Sequence, residues 1–322
     1  MKIGLVCGRE HSFPPAFIER VNQLGAANGI SAELVTFAGT RMDEPAAYRV
    51  IVDRISHEVE YYRGALKHAV LQGTYVINNP FWWTADDKFF NYSVMHRLGI
   101  AIPRTVLLPQ KGYPADVDLA TESLRNLAYP IDWDGLLDYV GRPAILKPYS
   151  GGGWKHVYKV NDRAELLDAY ERTSPYAMTL QQFIDFDRYV RCFTFGKTDI
   201  TPVAYAPLER RYLVDHAYLS AGLGARVVRD AQTINLALGY EMNTIEFAIQ
   251  DDVPYAIDFL NPAPDFERDR ITDFYFRHVV EKMSRLVIDR ALNGHPAQSW
   301  PRWEEMLGIG PSTAYIGAPG LT

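Results

Sequence analysis

The chain has 322 residues, 48% hydrophobic and 22% charged, with a net charge of -6, which excludes a disordered, collagen-like or coiled-coil protein. A mildly acidic chain has no general electrostatic pull on nucleic acid or anionic membrane, and no apolar run approaches the ~20 residues of a spanning helix. Two cysteines, Cys7 and Cys192, make no disulfide framework, and the N-terminal MKIGLVCGREH lacks a signal-peptide core, so the expectation is a cytoplasmic protein.

The first third alternates strands and helices. Lys2–Cys7, Ala32–Phe37, Arg49–Asp53 and Tyr75–Ile77 read as strands, the last closed by the turn Asn78-Asn79-Pro80. Pro14–Asn28, His57–Leu71 and Asp86–Leu98 read as helices, each ended by a nearby glycine. This alternation predicts a doubly wound parallel α/β sheet, which binds ligands beyond the C-terminal ends of its strands. From residue 105 the pattern changes to α+β. Strands are predicted at Thr105–Leu108, Ala144–Lys147, Val157–Val160 and Thr179–Ile184. Helical turns are expected over Asp118–Tyr139, broken by Pro130, and a helix over Asp162–Arg172, capped by Asn161. Two further helices are expected, Ala225–Leu238 and Ile271–Leu292, before an irregular tail from Pro296.

Common catalytic signatures are missing. Gly196-Lys197-Thr198 lacks the upstream glycine of a P-loop, because position 191 is arginine. His57-Glu58 begins like a zincin helix without its second histidine, and no GxGxxG follows the first strand.

The segment Met242–Asn261 reads as two strands around Asp251-Asp252. A three-residue loop sets Glu246 opposite Asp258 and makes the apolar faces coincide; a two-residue loop splits both sets. Facing carboxylates repel, and a divalent cation between them reverses the sign. Oxygen-only ligands, Glu246 and Asp258 with the Asn261 amide, suit Mg²⁺; a wet acidic hairpin face is the alternative. Lys147 ends a strand just before Gly151-Gly152-Gly153, whose backbone can approach an anion closely. Arg191 shares a strand face with Tyr189, Phe193 and Phe195, so it needs an anionic partner or a stacking role.

Taken in chain order, Asn78-Asn79-Pro80, Asp87-Lys88, Pro143–Pro148, Gly151–Gly153, Leu180–Ile184, Tyr189-Val190-Arg191, Thr244–Phe247 and Ile257–Pro262 resemble the ATP-grasp superfamily. They look most like its glutathione-synthetase and ribosomal-protein-glutamate-ligase branch. The resemblance implies three lobes: a pre-ATP-grasp α/β domain (1–104), a lid subdomain (105–185) and a C-terminal catalytic subdomain (186–322), with ATP held by the last two. It implies that Lys88 and Lys147 hold nucleotide phosphates, that Gly151, Gly152 and Gly153 cover them, and that the hinge Gln181, Gln182, Phe183 and Ile184 meets adenine. Arg191 would steady the transferred phosphoryl, and Glu246, Asp258 and Asn261 would bind magnesium. Asp258 and Asn261 stand three apart where the family has two, which requires a bulge or strand end near Leu260.

The implied reaction is ATP-dependent ligation of a small carboxylate to an amine through an acylphosphate. A phosphotransferase acting on a hydroxyl, and a non-catalytic nucleotide-binding module, are the other two readings. Acceptor-site candidates are His11, in the loop after the first strand, and Arg210 and Arg211 for an anionic substrate group. Neither nucleic acid nor membrane is expected as a partner; a homo-oligomer is left open.

Overall fold

The computed structural model describes residues 1–43, 45–81, 87–113, 124–151, 155–215, 217–294 and 306. They divide into two compact units. The first comprises Met1–Trp83, Tyr189–Phe247 and Asp258–Thr322; the second comprises Thr84–Arg188 and Ala248–Ile257.

In the first unit, strands β1 (Lys2–Val6), β2 (Ser31–Leu34), β3 (Val50–Asp53) and β4 (Tyr75–Ile77) form a parallel sheet of order β2-β1-β3-β4. The registers pair Ile3 with Val50 and Val52 with Ile77. The predicted α/β alternation is thus realised, and the strand order reverses between β1 and β3. Every residue of β3 is buried, as expected of a parallel strand covered on both faces. Gly4 is required on β1, because a Cβ there would meet Val35 Cγ2 at 2.4 Å.

Helix α1 (Phe13–Gly25) follows β1, and α2 (Glu60–Leu71) follows β3. The latter starts three residues later than the periodicity suggests. The cause is local: Asp53 Oδ1 accepts from the N–H groups of Ile55 and Ser56, a turn that holds the chain off the helix.

The unit continues in antiparallel strands β9 (Arg188–Phe195), β10 (Asp199–Ala206) and β11 (Arg211–Leu213). Helix α6 (Ala221–Leu238) begins four residues before its expected start, since the Ser220 hydroxyl accepts from Leu223 N–H and makes a cap that Gly222 and Gly224 obscure in the sequence. Gly239 ends it in the left-handed region, at φ 79°. Strands β12 (Met242–Gln250) and β13 (Val253–Asp258) complete a sheet of order β11-β10-β9-β12-β13. The terminal helix α7 (Arg268–Asn293) is interrupted at Thr272, whose φ of 70° is unusual for a β-branched residue.

The second unit holds the antiparallel sheet β5-β8-β6-β7, from β5 (Thr105–Leu108), β6 (Ala144–Pro148), β7 (Tyr158–Val160) and β8 (Met178–Gln182). Helices α4 (Trp133–Val140) and α5 (Arg163–Glu171) bury Leu137, Val140, Leu166 and Ala169 against Leu108, Leu146 and Leu180. The α5 cap is Asp162, not Asn161. The Asp162 carboxylate accepts from Glu165 N–H, while the Glu165 side chain returns to Asn161 N–H. Helix α3 (Lys88–Arg97) opens this unit. Part of the helical stretch expected over Asp118–Tyr139, and the tail from Pro296 apart from Met306, lie outside the described residues. No described helix is long and apolar enough to cross a membrane.

Candidate active site

In the first unit the acids and the arginine come together. Arg191 on β9 places Nη2 2.6 Å from Glu246 Oε1 on β12, and both side chains keep under one fifth of their exposure. Tyr189 donates its phenol hydrogen to the other Glu246 oxygen. The Arg191 guanidinium lies 3.9 Å from the Tyr205 ring centroid and donates from Nη1 to Tyr212 Oη at 3.2 Å. The register explains the grouping: β9 and β10 pair Val203 with Arg191, so Tyr205 falls two residues along the same face, and Tyr205 in turn pairs with Tyr212 on β11. Arg191 thus has both a stacking role and an anionic partner, but the stacking ring is Tyr205 on β10, not Phe193 or Phe195 on its own strand, and the anion is Glu246 on β12.

Asp258, the last residue of β13, lies near enough for its charge to act on Glu246. Burial raises the Glu246 pKa; Asp258 adds to the rise, while Arg191 and Tyr189 oppose it. Burial alone would lower the Arg191 pKa, but the Glu246 carboxylate and the phenols of Tyr212 and Tyr205 together outweigh it and hold the guanidinium charged. Burial also pushes the Tyr212 phenol up to about 12.

The pairing arises by a different route from the expected one. The hairpin turn has two residues, Asp251 and Asp252, both at positive φ (52° and 57°), as a type I′ turn requires. A regular two-residue hairpin would separate the carboxylates. The inside–outside alternation of β13 instead breaks at its end, where Ile257 and Asp258 are both half-buried and Phe259 and Leu260 both buried. Asn261 lies beyond that strand end, as the residue spacing demanded.

The donor set fits a divalent cation. Glu246 is paired with Arg191, nearby Asp258 adds a second carboxylate, and each carboxylate oxygen keeps a second lone pair. Arg191 Nε and Thr244 Oγ1, on the Glu246 side of β12, are buried without a hydrogen-bond partner among the described residues. Groups of this kind normally have one.

In the second unit the two lysines are held by oxygens. Lys147 Nζ donates to Tyr92 Oη at 2.9 Å and to the Ile257 carbonyl at 3.1 Å, and Tyr92 donates to that same carbonyl. Lys88, 6% exposed at the start of α3, donates to the Gly151 carbonyl. Gly151 adopts φ 79°, the backbone freedom expected of the glycine run. Gly152, Gly153, Trp82 and Trp83 lie outside the described residues. In the expected hinge, Gln181 donates to Thr105 Oγ1, Gln182 exchanges hydrogen bonds with the Arg104 backbone, and Ile184 is buried. The strand ends at Gln182, so Phe183 and Ile184 leave the ladder, and Lys159 Nζ stands 3.9 Å from the Phe183 ring centroid.

The acceptor candidates fare differently. His11 Nδ1 lies 2.9 Å from Glu267 Oε2, whose carboxylate also accepts from the Ser12 and Phe13 N–H groups. The α1 N-terminus is thus filled by the protein's own anion. Arg211 is exposed and paired with Glu209. Arg210, at φ 53° in the β10–β11 turn, is close enough for its charge to oppose the burial-driven rise of the Tyr205 pKa. Sequence reasoning missed Tyr92, Tyr205, Tyr212 and Glu267; strand pairing alone would have linked the two tyrosines to Arg191.

No family model matches the sequence, and no curated protein matches it. Solved structures do. A RimK domain ATP-grasp protein from Sphaerobacter thermophilus is 19% identical, with a TM-score of 0.62 over 89% of this chain and 99% of that one. D-alanine–D-alanine ligase from Bacillus anthracis is 17% identical, with a TM-score of 0.61 over 91% and 98%. The ATP-grasp ligase PsnB, solved with its precursor peptide PsnA2 and AMPPNP, is 15% identical, with a TM-score of 0.57 over 90% and 97%. An architecture shared along nearly the whole of each chain makes the conclusion plain: this protein has the ATP-grasp fold.

Proposed function

We propose that the protein is an ATP- and Mg²⁺-dependent carboxylate–amine ligase. The observation that carries the reading is buried Glu246 held by a tyrosine-stacked arginine, with the carboxylate of Asp258 near enough to act on its charge, set in the ATP-grasp fold. D-alanine–D-alanine ligase and the ATP-grasp ligase PsnB are ligases by name, which supports this class of chemistry.

An oxygen of the substrate carboxylate bonds to the γ-phosphorus as the bond to the β–γ bridging oxygen breaks, and ADP leaves with that electron pair. The amine nitrogen then bonds to the acyl carbon, phosphate departs, and the nitrogen releases a proton. Little covalent chemistry falls to the protein, so its part is positioning and charge. Lys147 and Lys88 hold the nucleotide phosphates, and Arg191 offsets charge on the phosphoryl group in flight. The backbone at Gln181–Ile184 meets the adenine, and Gly151–Gly153 exclude water that would hydrolyse the acylphosphate. Glu246 and Asp258, with Asn261, would hold Mg²⁺, which when bound neutralises phosphate charge. The amine and carboxylate are small, amino-acid-like or peptide-like molecules, with Arg210 the cationic candidate for an anionic group.

The test is ADP release across a panel of amino acids and dipeptides, with hydroxylamine as a trap. ADP and an acyl hydroxamate are expected, with full turnover only when carboxylate and amine are both supplied, and none in Glu246→Ala. ADP release that yields a phosphorylated hydroxyl, or none with any pair, overturns the reading.

A further inference from the structure

We propose that Asn243 is a positioning residue for the divalent-cation site, acting through the main chain and braced by Asn235 and Asn78. This rests on the function proposed above. Strand β13 ends at Asp258, yet the next residues run through the interior: Phe259 has no exposed surface and Leu260 only 8%. Main-chain groups there have no ladder, and buried ones must find other partners.

Asn243, with no exposed surface, supplies them. Its Oδ1 accepts from Asn261 N–H at 2.9 Å and its Nδ2 donates to the Phe259 carbonyl at 2.9 Å. An N–H on one side and a carbonyl on the other fix the amide orientation. The second Nδ2 hydrogen goes to Asn235 Oδ1 at 3.1 Å, and Asn235 donates to Thr194 Oγ1 and the Ala231 carbonyl. Asn78 repeats the device one step further on. It donates to the Pro262 and Met242 carbonyls and accepts from Glu241 and Met242 N–H.

Two buried amides thus tie the start of β12 to the chain that leaves β13. Asn243 is three residues from Glu246 and on the opposite face of β12. It cannot touch a cation held by Glu246, but it fixes the main chain flanking Asp258 and carrying Asn261. Outer partners of this kind set ligand geometry. Asn22 provides the contrast: its amide clamps Ala32 N–H and C=O in the same manner, on β2, in a segment that carries none of the proposed ligands.

The experiment uses the full chain with Mn²⁺ as the probe, followed by electron paramagnetic resonance with AMPPNP present, alongside thermal melting. Asn243→Ala and Asn243→Asp are expected to weaken Mn²⁺ binding by about 10-fold or more, the effect typical of outer-shell partners. Asn22→Ala is expected to lower the melting temperature with Mn²⁺ affinity unchanged. Asn235→Ala leaves both main-chain bonds of Asn243 available and removes its brace; a smaller loss of Mn²⁺ affinity is expected, and it decides the matter if the Asn243 variants do not fold. The proposal falls if the Asn243 variants, or Asn235→Ala in their place, lose melting temperature alone, as Asn22→Ala does. If wild type binds no Mn²⁺, or Glu246→Ala binds it equally well, the cation site falls first and the positioning role with it. A cation site that Glu246→Ala abolishes and the Asn243 variants leave intact overturns the positioning role alone.

Discussion

The acid cluster of the first unit and the lysines of the second are anchored in different ways. Glu246 is gripped by side chains, the Arg191 guanidinium and the Tyr189 phenol, which stand on a neighbouring strand. Lys147 and Lys88 donate to main-chain carbonyls, of Ile257 and Gly151, that lie far away in sequence. A guanidinium cancels the charge it holds; a carbonyl or a phenol orients an ammonium and leaves its charge in place. The first anchor offsets the charge of a buried acid, and the second leaves two cations charged, as the proposed hold on nucleotide phosphates requires. Charge compensation in the one and charge retention in the other should therefore respond differently to mutation.

The largest effect is expected where compensation is lost. Arg191→Leu leaves buried Glu246 without its counter-ion, a change that costs about 3–5 kcal/mol. A urea midpoint should register it, and an unchanged midpoint would break the contrast. Lys147→Met should do the reverse, lowering ADP release by about 10²–10³, as removal of one positioned donor does, with the midpoint little moved.

A pH series sharpens the distinction. Glu246 keeps its proton above the ordinary carboxylate range, chiefly because it is buried. Between the unfolded value and the raised native one, the native state binds more protons, so this group makes stability fall as pH rises. The difference in midpoint between wild type and Glu246→Gln should shrink through that window and level off above it. A difference constant with pH would show that the native carboxyl is not shifted. The smallest effects are expected from single hydroxyls. Tyr212→Phe removes the acceptor of Arg191 Nη1 and should cost about 1 kcal/mol, read in the urea midpoint. Tyr92→Phe should act on nucleotide affinity through Lys147, with less effect on stability.

Much of this was legible in the residues. Tyr75–Ile77 and Thr105–Leu108 form the strands their β-branched runs predict, residue for residue. Arg191 on an aromatic face announced its need for a partner, whereas the expected proximity of Glu246 to Asp258 rested on a three-residue loop that the hairpin does not have. The turn itself was not legible: Asp251 and Asp252 both enter the left-handed region, which aspartate tolerates without advertising it. The partners of Lys147 and Lys88 are main-chain oxygens, which every residue has, so no side-chain pattern points to them. The amides of Asn78, Asn235 and Asn243 look like ordinary turn, helix and strand residues until tertiary packing gives them carbonyls to meet.

The carboxylate of Glu267 has a consequence for how the molecule is made. It caps α1 through Ser12 and Phe13, more than two hundred and fifty residues earlier, and the Phe266 ring packs at a tilt against Phe13 beside it. A ribosome that has delivered the parallel sheet has not yet supplied the lid on its first helix. That helix waits with an open end until Glu267 has been made, while the second unit, once Arg188 is made, lacks only Ala248–Ile257. Newly made chains should pass through a stage in which the beginning of the protein is its least protected part.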